Sequence, residues 1–173
     1  VSVFLQPIYT QTVGASGVGS ITFNNIPQTF TDLKLVTSSR SNASGTIDTV
    51  SFQFNGDTSS SYSMTRLYGS GSSAASDRYT SNNGSPFDIL DGSTAIANTF
   101  GNAEYYIPNY TSSNYKQFIN DAVSENNTTA SYQLLESGLW SKTNAITSIK
   151  ISVGTYFVQY STFTLYGILR SGI

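Results

Sequence analysis

Ala145-Ile-Thr-Ser-Ile-Lys-Ile-Ser-Val-Gly154 is followed, after a short link, by Tyr160-Ser-Thr-Phe-Thr-Leu-Tyr-Gly-Ile168. In the first run Ile149, Ile151 and Val153 share one parity, and Ser148, Lys150 and Ser152 hold the other. In the second, Phe163 and Leu165 alternate with Thr162, Thr164 and Tyr166. Successive side chains of an extended chain point to opposite faces, so each run is a strand with one face buried and one wet. β-branched and aromatic residues dominate both runs and suit a pleated surface. Gly154 fits a bend between them. The pair predicts a hairpin, or two neighbouring strands, inside a larger antiparallel sheet.

The same alternation recurs upstream. Ile21 and Phe23 face inward in one run, Leu33 and Leu35 in the next, and Val50, Phe52 and Phe54 in a third. Asn55-Gly56 then marks a tight turn, because both residue types tolerate a left-handed backbone. Ala103 to Ile107 is a strand ended by Pro108. Tyr115 to Val123 is a strand with a bulge or change of face at Phe118 and Ile119, and Ser131 to Trp140 is another. The spacing of Ser59 to Tyr68 suits either a short helix or an irregular strand. Gly69 to Ser85, rich in Gly, Ser and Asn, reads as a long surface loop with at most a short strand near Tyr79. Thr94 to Phe100 suggests one helical turn.

Residues 1–13, interrupted by Pro7, read as an extended N-terminal arm leading into an edge strand, since proline has no N–H to give a central ladder. Residues 14–173 then make a single domain. The pattern predicts an all-β fold, an antiparallel β-sandwich of about eight to ten strands, with a jelly roll favoured.

Composition bounds the chemistry. At 173 residues the chain is long enough for one domain with a core of its own. It has no cysteine and no histidine. That excludes disulfides, thiolate metal sites, the Ser-His-Asp triad and histidine-based zinc or copper chemistry. Charged residues are only 10% of the chain, the net charge is -2, and Lys and Arg are scattered singly. No basic patch for nucleic acid is visible. No run of apolar residues is long enough for a helix to span a bilayer. Val1-Ser-Val-Phe-Leu5 is short and lacks a basic flank, which argues against a signal peptide and for folding in the cytoplasm of the cell that makes it.

Asp88, Asp91, Asp121 and Glu125 are the carboxylates that a glycoside-hydrolase pair would draw on, but none sits in a local motif and turn hydrogen bonding explains Asp in such places. Asp88-Ile-Leu-Asp91-Gly92 lacks the alternating ligand spacing of a calcium loop. No catalytic residue, cofactor or metal site is therefore expected. Asn42, Asn109, Asn126 and Asn127 match the glycosylation pattern, as chance allows in a chain rich in Asn, Ser and Thr. Gly14 to Gly19 has neither the lysine nor the following helix of a phosphate loop. Trp140 near a strand end is expected in the core. Tyr106, Tyr110 and Tyr115, around the Pro108 turn, are expected as exposed contacts for a protein or a glycan.

Tyr110-Thr-Ser-Ser-Asn-Tyr-Lys116, Ser137-Gly-Leu-Trp-Ser141, Ala145 to Ile149 and Tyr160 to Ile168 resemble a recurring family of tailed-bacteriophage virion structural proteins. That family is frequent in marine phages of cyanobacteria and other oceanic bacteria. Asn25 to Phe30 and Phe54 to Asp57 resemble it too. The resemblance implies a virion location and a structural, non-enzymatic role. The expectation is a capsid decoration (cement) protein that stabilises contacts between major capsid subunits and forms homo-oligomers, trimers being favoured. Its anchor would be Val1, Val3, Phe4, Leu5 and Ile8, which bury apolar side chains or add a strand to a neighbour. The alternative is a tail or head-fibre component that binds a host-surface glycan or receptor. A polysaccharide-degrading tail enzyme ranks last.

Overall fold

The computed structural model describes residues 3–127 and 131–170, and gives the backbone alone at 3, 81, 82, 85–88 and 170. It contains twelve strands: β1 (Val3–Thr12), β2 (Val18–Phe23), β3 (Asp32–Ser39), β4 (Ile47–Phe54), β5 (Tyr62–Ser70), β6 (Ser73–Asn82), β7 (Ser85–Asp91), β8 (Gly101–Pro108), β9 (Lys116–Ser124), β10 (Tyr132–Trp140), β11 (Ile149–Phe157) and β12 (Thr162–Arg170). They form an eight-stranded sheet, β1-β12-β3-β8-β9-β10-β5-β6, and a four-stranded sheet, β2-β11-β4-β7. The two sheets pack face to face as a β-sandwich.

The wiring is a jelly roll with insertions. β1–β12, β2–β11, β3–β8 and β4–β7 all pair antiparallel, as rungs of one long hairpin. The pairs β12–β3 and β11–β4 roll that hairpin into two layers. Between β4 and β7 the chain inserts the β5–β6 hairpin, and between β8 and β11 it inserts the β9–β10 hairpin. These four strands join one another through β5 and β10, and join the roll through β8 and β9. The larger sheet therefore gains a broad extension that the smaller sheet does not match.

Period-two patterning sets the core. Ile149 and Ile151, Phe163 and Leu165, and Phe52 and Phe54 are all buried. Phe52 stacks on Tyr105 with centroids 4.7 Å apart, and Phe54 packs against Phe118 and Trp140. Phe157 meets Phe163 edge-on beneath the first rungs of the roll. Asn55 and Gly56 have φ of 52° and 65°, the left-handed pair of a tight hairpin-type turn. Pro7 sits at a register shift in β1, which is an edge strand.

Several expectations are corrected. β11 and β12 lie in different sheets and are not a hairpin, because each pairs with strands from the first third of the chain. Ser59 to Tyr68 contributes β5, with no helix. The Gly/Ser-rich stretch is not a long loop: it forms most of the β5–β6 hairpin, turning at Gly71 with φ 57°. Hydrogen bonding to β5 offsets the weak strand preference of its small residues. β9 alternates without a bulge, Phe118 inward and Ile119 outward. Asp88 to Asp91 belongs to a strand. Residues 94–100 form a non-helical loop, organised instead by the Arg40 guanidinium, which donates to the carbonyls of Ile96, Thr99, Ser93 and Ala95.

Candidate functional site

The outer face of the large sheet is built by the residues that do not enter the core. Strand register aligns Lys34, Tyr106, Ile119, Ser137, Thr65 and Arg78 in one cross-strand row. The next row carries Val36, Glu104, Asp121, Leu135 and Leu67. Ile119, Leu135 and Leu67 are 58%, 49% and 59% exposed, so three large aliphatic side chains from adjacent strands stand in solvent together. Two adjoining depressions of about 540 and 670 Å³ run over this patch and share Thr65, Tyr106, Ile119 and Ser137.

The charges around the patch are unequal in their pairing. Glu104 lies directly opposite Asp121 across the strands, an arrangement that costs free energy. Lys34 Nζ, 2.8 Å from Glu104 Oε2, neutralises one of the two. Asp121 and Arg78 are both exposed, and neither has an ion-pair partner among the described residues. On the opposite, inner side of the sheet Arg66 and Asp77 form a fork at 2.6 and 2.8 Å. Burial lowers the Arg66 pKa, and the Asp77 hydrogen bonds and charge outweigh that and raise it, so the cation is fixed.

The residues singled out from sequence divide. Val1 lies outside the described residues, and Val3 is described by its backbone alone. Phe4 and Leu5 are 58% and 46% exposed on β1, whose other edge pairs with no strand among the described residues. Ile8 is half-buried and packs against the core. Tyr106 is half-buried on the outer face and its hydroxyl donates to Asp32 Oδ2 at 2.8 Å, while Asp32 Oδ1 accepts from the Asn109 N–H. Tyr115 is exposed at the same turn. Tyr110 is corrected: it is wholly buried, with its hydroxyl donating to the Pro27 carbonyl and its pKa raised by burial. The loop turns it inward at Asn109, whose φ is 49°. The structure therefore does not bring the Tyr residues together with Phe4 and Leu5, which lie three strands away in the sheet.

Two of the candidate carboxylates have structural partners. Asp91 is buried and accepts from Ser124 Oγ at 2.5 Å, Glu125 caps the Asn127 N–H, and the Asp88 side chain lies outside the described residues. Among the described residues no cluster of three or more acidic side chains is placed to hold a metal ion. Lys116 is buried, with its pKa lowered by desolvation. Its Nζ donates to the carbonyls of Ser112 and Asn114 at 2.7 and 2.6 Å, so it fastens the loop before β9. Trp140 is in the core as expected, its Nε1 donating to Asp57 Oδ2 at 2.7 Å.

No family model, curated protein or solved structure matches this chain. The outer-face patch was absent from the sequence reading, although a signal for it exists. Phe118-Ile119 and Leu134-Leu135 put apolar residues on both parities of β9 and β10. That pattern belongs to a strand with two apolar faces as well as to a bulge.

Proposed function

We propose that this chain is a non-catalytic structural protein of a tailed-phage virion, a capsid decoration protein held on the shell by its first strand. The observation that carries this reading is the edge of β1 left unpaired among the described residues, with Phe4 and Leu5 exposed beside it. An unpaired edge offers main-chain hydrogen bonds to a neighbour, and exposed apolar side chains offer the burial that makes such an addition stable. Pro7 donates no hydrogen bond, and the register shifts between Pro7 and Tyr9. A strand from a major capsid subunit therefore adds alongside residues 3–6 and stops there. The sequence resemblance to virion proteins points the same way.

Quantitative mass spectrometry of purified virions tests the reading. Copy numbers near those of the major capsid protein are expected, and a few copies per particle would overturn decoration in favour of the tail. Phe4→Ser with Leu5→Ser should abolish binding to capsids and leave the fold intact.

A second reading, a tail or head-fibre component contacting a host glycan or receptor, is favoured by one feature. Tyr160 is 69% exposed and held at φ 74°, a backbone region that costs an aromatic residue free energy. Such an exposed, fixed ring suits stacking on a sugar or a protein. Loss of adhesion to host cells on Tyr160→Ala would support this reading, and unchanged adhesion would remove it.

A further inference from the structure

We propose that the outer face of the inserted strands is a self-association surface, through which two copies of this chain pair about a two-fold axis. The inference is independent of the virion assignment, since it rests on β9, β10, β5 and β6 and not on β1.

The patch is of a size that suits a dimer. Strands lie about 4.8 Å apart and rise about 3.4 Å per residue, so the outer face of the four strands β9, β10, β5 and β6 covers about 600 Å². Specific interfaces take about 600–1,000 Å² from each partner. Its centre is apolar, with Leu135 and Leu67 directly opposite one another on β10 and β5 and both exposed. Its edges carry one acid and one base without ion-pair partners among the described residues, Asp121 on β9 and Arg78 on β6.

These features are self-complementary under one operation. A two-fold axis parallel to the strands, between β10 and β5, sets β10 over β5 of the second copy and β9 over its β6. Leu135 of each copy then meets Leu67 of the other. Arg78 of each copy arrives over Ile119, one cross-strand row from Asp121, within reach of a long guanidinium side chain. The leucine contact and the charge pair each occur twice, as an isologous interface requires. A three-fold arrangement lacks this reciprocity. Lys34 and Glu104 already neutralise each other and lie outside the central contact.

Sedimentation equilibrium of the full chain tests the proposal. A dimer is expected at micromolar concentrations and low salt, weakening as salt rises. Asp121→Arg alone and Arg78→Asp alone should each weaken dimerisation by about tenfold or more, because two attractive pairs become two repulsive ones. The double swap should restore it, and Leu135→Glu should abolish it. Circular dichroism should stay unchanged, and so should the melting temperature at concentrations low enough for the parent to be monomeric, since all three residues are exposed. A monomer at every concentration, a trimer, or a dimer indifferent to these substitutions would each overturn the proposal. None of these outcomes bears on copy number in virions, so the two readings fail separately.

Discussion

Replacing Gly138 by alanine adds one methyl group to the inner face of β10, directly opposite Phe118 on β9. That methyl would lie 2.0 Å from Phe118 Cζ, with the two neighbouring ring carbons at 2.4 and 2.6 Å. Carbon atoms rest at about 3.5–4.0 Å, so the ring must retreat by about 1.5 Å or more. It has little room, because its centroid lies 5.8 Å from that of Phe52 and 5.7 Å from that of Phe54. Gly138 does not carry a positive φ, so the backbone itself accepts alanine. Without the ring, the substitution would stabilise the strand by about 0.5–1 kcal/mol. Overpacking a close-fitted core costs about 1–3 kcal/mol, and this contact belongs at the upper end. The expected net loss is about 2 kcal/mol. For a chain of this length that is a fall in Tm of about 4–8 °C, read by circular dichroism. Two companions isolate the cause. Gly154→Ala, with nothing within 4 Å of the added methyl, should leave Tm unchanged or slightly raised. Phe118→Leu combined with Gly138→Ala should be strongly non-additive, the smaller side chain recovering much of the glycine variant's loss. A Gly138→Ala protein at or above the parent Tm, or an additive cycle, would refute the packing argument.

Asp57 links stability to pH. Burial pushes its pKa up, but hydrogen bonds from Ser59, Trp140 and Ser61 outweigh this and hold it at about 2, below the ordinary 3.8. A depressed folded-state pKa gives stability that is full above the unfolded value and lost as pH falls through the folded one. Asp57→Asn should therefore flatten the acid limb of the stability profile between about pH 4 and pH 2, followed through Trp140 fluorescence. Arg40→Lys removes a planar fork that donates to four loop carbonyls, at 2.6 to 3.2 Å. An ammonium cannot match that geometry, so a loss of about 1–3 kcal/mol is expected. Hydrogen exchange over residues 93–100 should quicken, and unchanged protection there would contradict the role of Arg40.

What a strand shows to each side was legible in its own residues. Ile149 and Ile151, Phe163 and Leu165, and Leu33 and Leu35 are buried as their parity predicts, because the alternation of side chains is a local property of extended backbone. Asn55-Gly56 and Pro7 were readable for the same reason, since each constrains its own dihedrals or its own N–H. Which sheet a strand joins was not readable. β11 and β12 are neighbours in sequence but pair in different layers, through hydrogen bonds to strands about a hundred or more residues away. Low-complexity Ser73 to Asn82 carries little hydrophobic signal beyond Tyr79, and it is a full strand because β5 supplies a ladder. Tyr110 and Tyr115 sit in one loop with similar neighbours, and only the backbone turn at Asn109 sends the first into the core. The outer patch follows the same logic. Sequence placed Ile119 and Leu135 in strands, but their exposure depends on the smaller sheet covering just one side of the larger. Burial and partnership are set by the distant segments that the fold brings together, and local sequence does not encode those segments.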